Sequence, residues 1–302
     1  MGAGHGHGHG SGHAGERHRW RLAVSFGLIA AFFSVELVVG LTSGSLALLS
    51  DAGHMAADVV ALGAALVATR VASRPDTTGR RTYGSYRAEV FASGLAVLLM
   101  LGVSAYVVVE ALGRRGSDVA VASTPMLVVG GLGLVVNLVA LLLLRGGADE
   151  SLNVKGAYLE VVADTLGSVG VLVAGWLVAT TGDGVWDTVV ALTIGIFVAV
   201  RALVLGRQVL AVLGQHVPAG MEVEVIAADL AALEGVADVH DVHVWTLTSG
   251  MHVATAHLVA EEGQAQRVLD DARSLLRREH EISHATLQVE SAASRECHEL
   301  DW

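Results

Sequence analysis

Six apolar runs, near residues 22–41, 45–68, 88–112, 125–144, 157–180 and 185–205, are each long enough to cross a hydrocarbon core of about 30 Å as a helix. Lipid offers no water to backbone N–H and C=O groups, so each run must satisfy its own hydrogen bonds, and runs of this length do so as helices. The composition agrees: 53% of residues are hydrophobic and 16% charged, too apolar for a chain with a wholly wetted surface. The first run follows a polar leader and lacks a small-residue cleavage site, which makes it a retained helix rather than a signal peptide.

Basic residues orient the bundle. Arg17, Arg19 and Arg21 precede the first run, and Arg70, Arg74, Arg80, Arg81 and Arg87 fill the second connection. Arg145 and Lys155 flank the fourth run, and Arg207 follows the sixth. The opposite connections hold only Arg114 and Arg115, so the positive-inside rule places both termini on the cytoplasmic side of a cell membrane. Trp20, Trp176 and Trp186 fit interfacial anchoring. Gly130, Gly131 and Gly133 in the fourth run, with Gly167, Ser168 and Gly170 in the fifth, mark either close helix approach or the ordinary abundance of glycine in membrane helices.

Beyond Val217 the pattern changes. A helix is expected near 222–234, strands near 238–247 and 251–260 about a Thr248-Ser249-Gly250 turn, a helix near 264–280 and a strand near 285–290, which together make a small α+β domain. The expected organisation is a His/Gly-rich disordered leader (1–19), a six-helix transmembrane domain (20–207), a cytoplasmic α+β domain (208–292) and a flexible tail (293–302). Residues 1–207 carry 14 acidic and 14 basic side chains and residues 208–302 carry 16 and 5, so the net charge of −11 lies in the C-terminal part. Such a surface repels phosphates, which excludes a nucleic-acid partner, and it suits a domain that meets cations. The single cysteine, Cys297, excludes an intrachain disulfide and is compatible with a cytosolic domain.

An ionisable residue at the centre of a membrane helix costs about 2.5–3.5 kcal/mol on insertion scales and needs a reason to be there. His54 and Asp58 in the second run stand four apart, on one helix face, and Glu160 and Asp164 in the fifth repeat the spacing. Two such pairs on facing helices supply four N and O ligands, the number a tetrahedral zinc takes. Neither run offers Arg or Lys at matching depth, so three carboxylates there must be protonated or hold a cation. Either pair alone would pass as polar contact between helices; the two together point to metal. Asp51 is either a partner behind the ligands or a polar residue at the helix start. Ligands must lose protons to bind metal, so a site exposed alternately to two sides exchanges metal for protons, the behaviour of an antiporter rather than a channel.

The runs GSLALLSDAGHMAAD, YGSYRAEV, NVKGAYLEVVADTLGSVGV, VHDVHVWTLTSG and HATLQVE, in that order between about Trp20 and Glu290, resemble the cation diffusion facilitator family of zinc transporters. The resemblance implies a homodimer of six-helix protomers that exports zinc or similar ions in exchange for protons. It also implies a ferredoxin-like, metallochaperone-like cytoplasmic domain that binds metal and tightens the dimer. His54, Asp58 and Asp164 match the family's intramembrane ligands. Glu160 departs from it, since zinc members usually carry His there, and a third carboxylate favours cobalt, cadmium or manganese relatively more.

Histidines recur outside the spans. His5, His7, His9 and His13 in the leader are either a tag-like or idle tract or a collector of metal at the cytoplasmic mouth. In the C-terminal domain, strand alternation expects His240 and His243 on opposite faces, and likewise His252 and His257. The resemblance places His240, His257 and Glu290 at regulatory metal positions, with Cys297 and His298 closing the site; solvated surface histidines are the plainer reading. Arg87 and Glu89, opening the third run, form either a gate or a structural ion pair. A membrane metal sensor signalling through the acidic domain is the alternative function. No nucleophile elbow or HExxH is present to suggest an enzyme.

Overall fold

The computed structural model describes residues 12–72, 83, 87–114, 121–145, 152–248 and 250–291. His5, His7, His9, Cys297 and His298, and the side chain of His13, lie outside the described residues. The elements run α1 (Gly12–Ser43), α2 (Leu46–Ala72), α3 (Ala88–Gly113), α4 (Ser123–Arg145), α5 (Leu152–Thr181), α6 (Val185–Leu213), α7 (Val223–Ala231), β1 (Val236–Thr248), β2 (Met251–Ala260), α8 (Ala265–Glu279) and β3 (His284–Glu290). Two compact units emerge: Met1–Leu66 with Ala92–Leu205, and Val67–Phe91 with Gly206–Trp302.

The chain is a multi-pass membrane protein. Val24–Ser43, Ala88–Gly113, Ser123–Arg145, Tyr158–Thr181 and Val185–Leu213 are each long and apolar enough to cross a bilayer. The remaining long helix, α2, has 27 residues and carries Asp51, His54 and Asp58. Several helices outrun their apolar runs: α1 begins at Gly12, inside the expected leader, and α6 continues to Leu213. Hydropathy marks only the part immersed in hydrocarbon, whereas the backbone ladder continues wherever its hydrogen bonds remain the best available.

Packing in the first unit depends on missing side chains at particular glycines. A Cβ on Gly133 would lie 2.6 Å from Phe32 Cζ, and one on Gly130 would lie 3.2 Å from Leu172 Cγ, so α4 sits close against α1 and α5 there. Nothing stands within 4 Å of a Cβ on Gly131, and at that position glycine has no packing role. Asn137 donates to Ser168 Oγ at 3.2 Å across the α4–α5 contact.

The start of α2 is held from a distant helix. Asp187, in the first turn of α6 and fully buried, accepts hydrogen bonds from Ser45 Oγ (2.6 Å), Leu46 N (2.8 Å) and Ala47 N (3.1 Å). Ser45 Oγ in turn accepts from Leu48 N at 3.2 Å. The first amides of a helix have no intrahelical partner; here one carboxylate and one hydroxyl supply the acceptors, and Ser50 Oγ adds a bond to Ala191 O at 3.2 Å.

The second unit is the expected α+β domain. Its sheet order is β1-β2-β3, with β1 antiparallel and β3 parallel to β2. Ala254, Ala256, Leu258 and Ala260 alternate along β2 and bury against Ile226 and Leu230 of α7 and Val268, Ala272 and Leu276 of α8. The odd-numbered positions of β2, His257 among them, therefore face away from the helices. One sequence expectation is overturned here: His240 and His243 share a face. His240 pairs with His257 and His243 with Thr255, a step of three residues on β1 against two on β2. The extra residue is taken up by a bulge at Asp241, whose φ is 54°, and a bulge shifts the alternation by one. His252, opposite Thr246, keeps the other parity.

Candidate intramembrane metal centre

Three ligand-type side chains converge between α2 and α5. His54, Asp58 and Asp164 each offer an atom within 4.8 Å of the others. His54 Nε2 is 3.3 Å from Asp164 Oδ1 and 3.7 Å from Asp58 Oδ2, and His54 and Asp164 are 2% and 3% exposed. Helical spacing explains the first pair, since His54 and Asp58 are one turn apart on α2; Asp164 comes from the facing turn of α5. In a tetrahedral site with bonds of about 2.0–2.1 Å, neighbouring ligand atoms stand roughly 3.3 Å apart, close to the spacing found. Asp58 Oδ2 and Asp164 Oδ1 are buried and receive no hydrogen bond, a costly state for carboxylate oxygens unless a cation meets them.

Arg201, midway along α6, completes the cluster and was not anticipated from the sequence. Its Nη1 is 2.8 Å from His54 Nε2, and its Nη2 bonds Glu160 Oε2. A guanidinium only donates, so Nε2 accepts and the ring proton sits on Nδ1. Nε2 thus gives its lone pair to Arg201 while lying beside two carboxylate oxygens. The expectation that these carboxylates lack a basic neighbour holds within α2 and α5 but fails once α6 packs beside them. Glu160 is not in the convergent group: it is bound to Arg201, and its side chain is 43% exposed against 3% for Asp164.

Asp51 lies deeper. It is 2% exposed, and a Cβ on Gly167 of α5 would come within 2.3 Å of its Oδ1. Glu36 of α1, 1% exposed with Oε2 lacking a partner, stands carboxyl to carboxyl with it. Asp51 is thus an interhelical residue, and the helix start belongs to Ser45 and Asp187. The one signal for Glu36 or Arg201 in the sequence was an isolated charge inside an apolar run. Glu89 accepts a hydrogen bond from Thr248 Oγ1 at 3.0 Å, and Arg87 O accepts from Phe91 N at 3.1 Å as α3 begins.

A second group forms on the helix-free face of the sheet. His240, His257 and Glu290 also bring ligand atoms within 4.8 Å of one another. His257 Nδ1 is 3.2 Å from Glu290 Oε1, the two imidazoles meet edge to face with centroids 5.3 Å apart, and His240 Nε2 is buried without a partner. Asp241 Oδ2 is 3.7 Å from His257 Nε2, while its Oδ1 takes His243 Nε2 at 2.9 Å.

Comparison with known proteins follows the same division. Residues 22–213 match the family model for a cation efflux transmembrane domain, and residues 218–292 match that for the cytoplasmic domain of a cation efflux protein. The chain is 40% identical over 294 residues to the metal cation efflux system protein CzcD of Cupriavidus metallidurans, covering 97% of this chain and 91% of that one. It is 34% identical to a cadmium, cobalt and zinc/H(+)-K(+) antiporter of Bacillus velezensis (93% and 91% covered) and 33% identical to the zinc transporter ZitB of Escherichia coli (89% and 87%).

Proposed function

The chain belongs to the cation efflux family, and on that premise we propose that it is a proton-coupled antiporter exporting zinc, with cobalt, cadmium and manganese as further cargo, from the cytoplasm. The observation that carries this reading is the buried group His54, Asp58 and Asp164, whose donorless carboxylate oxygens lie beside His54 Nε2. One imidazole and two carboxylates are a borderline-to-hard donor set that takes zinc and tolerates the other three ions. The site exists in full only when its ligands are deprotonated, so acidifying one side empties it, and a carrier exposing it in turn to two sides moves metal against protons. The relatives' names, a zinc transporter and a cadmium, cobalt and zinc antiporter using protons and potassium, support both the cargo and the coupling.

The C-terminal domain supplies regulation in this reading. Two imidazoles and a carboxylate, one ring nitrogen buried and unpartnered, suit a zinc held at His240, His257 and Glu290. The domain joins two copies into a homodimer, and both termini face the cytoplasm, as the distribution of arginines supports.

The test is flux in proteoliposomes carrying an internal pH dye, with zinc, cobalt, cadmium and manganese, for wild type and Asp58→Ala. Metal entry with opposite proton movement, silenced in the variant, is the expected result. Metal binding without movement of either ion would sink the carrier and leave the membrane sensor as the leading account.

A further inference from the structure

The guanidinium of Arg201 stands where the cargo should be. His54 Nε2 has a single lone pair, and Arg201 Nη1 occupies it at 2.8 Å; a metal ion and an N–H cannot share it. The same nitrogen lies 3.3 Å from Asp164 Oδ1 and 3.7 Å from Asp58 Oδ2, so the guanidinium sits at the metal's own ligand rather than beside the site. Arg is charged at any pH a cell meets. In the metal-free state it therefore supplies the positive charge that two buried carboxylates otherwise lack.

The other arm of the same side chain has a place to go. Glu160 holds Nη2 and is far more exposed than Asp164, and the Arg201 side chain is itself 26% exposed. We propose that Arg201 is a tethered surrogate cation: it fills the His54 site when cargo is absent and withdraws onto Glu160 when cargo binds. Glu160 is then the post that receives the arginine, not a fourth ligand, and the pair Glu160–Arg201 stands in place of the imidazole that the resemblance to the family's zinc members leads one to expect. Replacing a unit cation by a dication changes the charge of the buried cluster by one rather than two, and protons on the ligands make up the difference. It also lowers equilibrium affinity and hastens release, both of which suit a carrier.

The inference rests on the reading of His54, Asp58 and Asp164 as the cargo site, and its test separates the two. Full-length protein in detergent is titrated with cobalt(II), read by its d–d absorbance, and the same variants are assayed for flux in liposomes. Removing a unit charge this close to the ion strengthens its attraction to the carboxylates, so Arg201→Gln is expected to bind cobalt about tenfold tighter or more. Its KM should fall in step, and its maximal flux should fall because release slows. Arg201→Lys, which keeps the charge, should remain near wild type in affinity. Glu160→Gln alone should weaken binding, because Arg201 loses its resting place; Arg201→Gln/Glu160→Gln should bind as tightly as Arg201→Gln and serves if the single variant does not fold. Cobalt binding by Arg201→Gln no tighter than wild type, with Asp58→Ala binding one ion fewer, overturns the surrogate while the cargo site stands. A double variant that loses the tight binding overturns it too, by making Glu160 a ligand. Wild-type binding by Asp58→Ala would instead overturn the cargo site itself.

Discussion

Asp187→Ala should loosen the helix that carries the cargo ligands without touching any of them. Asp187 is fully buried and accepts from Ser45 Oγ, Leu46 N and Ala47 N, with Arg114 Nη1 3.7 Å away. Leu46 and Ala47 are themselves fully buried, so alanine strands two amide donors where water does not reach. Each stranded donor costs about 1–3 kcal/mol, giving a loss of about 2–6 kcal/mol. Ser45 cannot replace both acceptors, because its hydroxyl oxygen already serves Leu48 N. Taking about 4 kcal/mol as the central value, and about 2–4 °C per kcal/mol for a large domain, the unfolding midpoint should fall by about 8–16 °C. Asp187→Asn retains one oxygen acceptor and should lose roughly half as much. The assay is thermal unfolding in detergent followed by intrinsic tryptophan fluorescence, with cobalt titration alongside; metal binding should weaken because His54 and Asp58 lie two to three turns into the same helix. A midpoint for Asp187→Ala within ~1 °C of wild type, or a larger loss for asparagine than for alanine, would refute the capping argument.

Other consequences can be measured on the same preparation. Gly53→Ala places a Cβ 2.2 Å from Val103 Cγ1 and should cost about 1–3 kcal/mol in unfolding experiments, whereas Gly131→Ala, which meets nothing within 4 Å, should be neutral or slightly stabilising. His240→Ala in the full chain should lower the number of cobalt ions bound while flux through the membrane site persists, as paired titration and liposome assays would show. Cobalt affinity at the intramembrane site should decline as pH is lowered, since His54 and both aspartates must shed protons to ligate; a pH-independent dissociation constant would contradict the proposed coupling.

Much of this was readable before any coordinates. Helix-period spacing predicted that His54 and Asp58 share a face, and the apolar runs located the five described helices able to cross a bilayer together with α2, because both depend on local chain geometry. What escaped was whatever depends on a neighbour brought in from elsewhere. Arg201 and Glu36 are isolated charges within the apolar stretches of their helices, and no spacing within α6 or α1 announces that one meets His54 and the other Asp51. Asp187 caps a helix about 140 positions earlier in the chain, a pairing that capping patterns, which look a few residues ahead, do not detect. Strand parity misassigned His240 relative to His243 because the rule assumes an unbroken ladder.

The bulge at Asp241 makes the position of a histidine a matter of counting. Asp238, Val239 and His240 owe their faces, relative to His243, to that one supernumerary residue, so deleting a single codon there would carry His240 to the packed side of the sheet while leaving every histidine in the sequence. Replacing Asp241 by glycine or asparagine, residues at ease with its positive φ, would keep the count. In this domain the length of a strand carries chemical information of the same rank as the identity of its residues, and a frame-preserving deletion can remove a group of ligands that point substitution would have to dismantle one at a time.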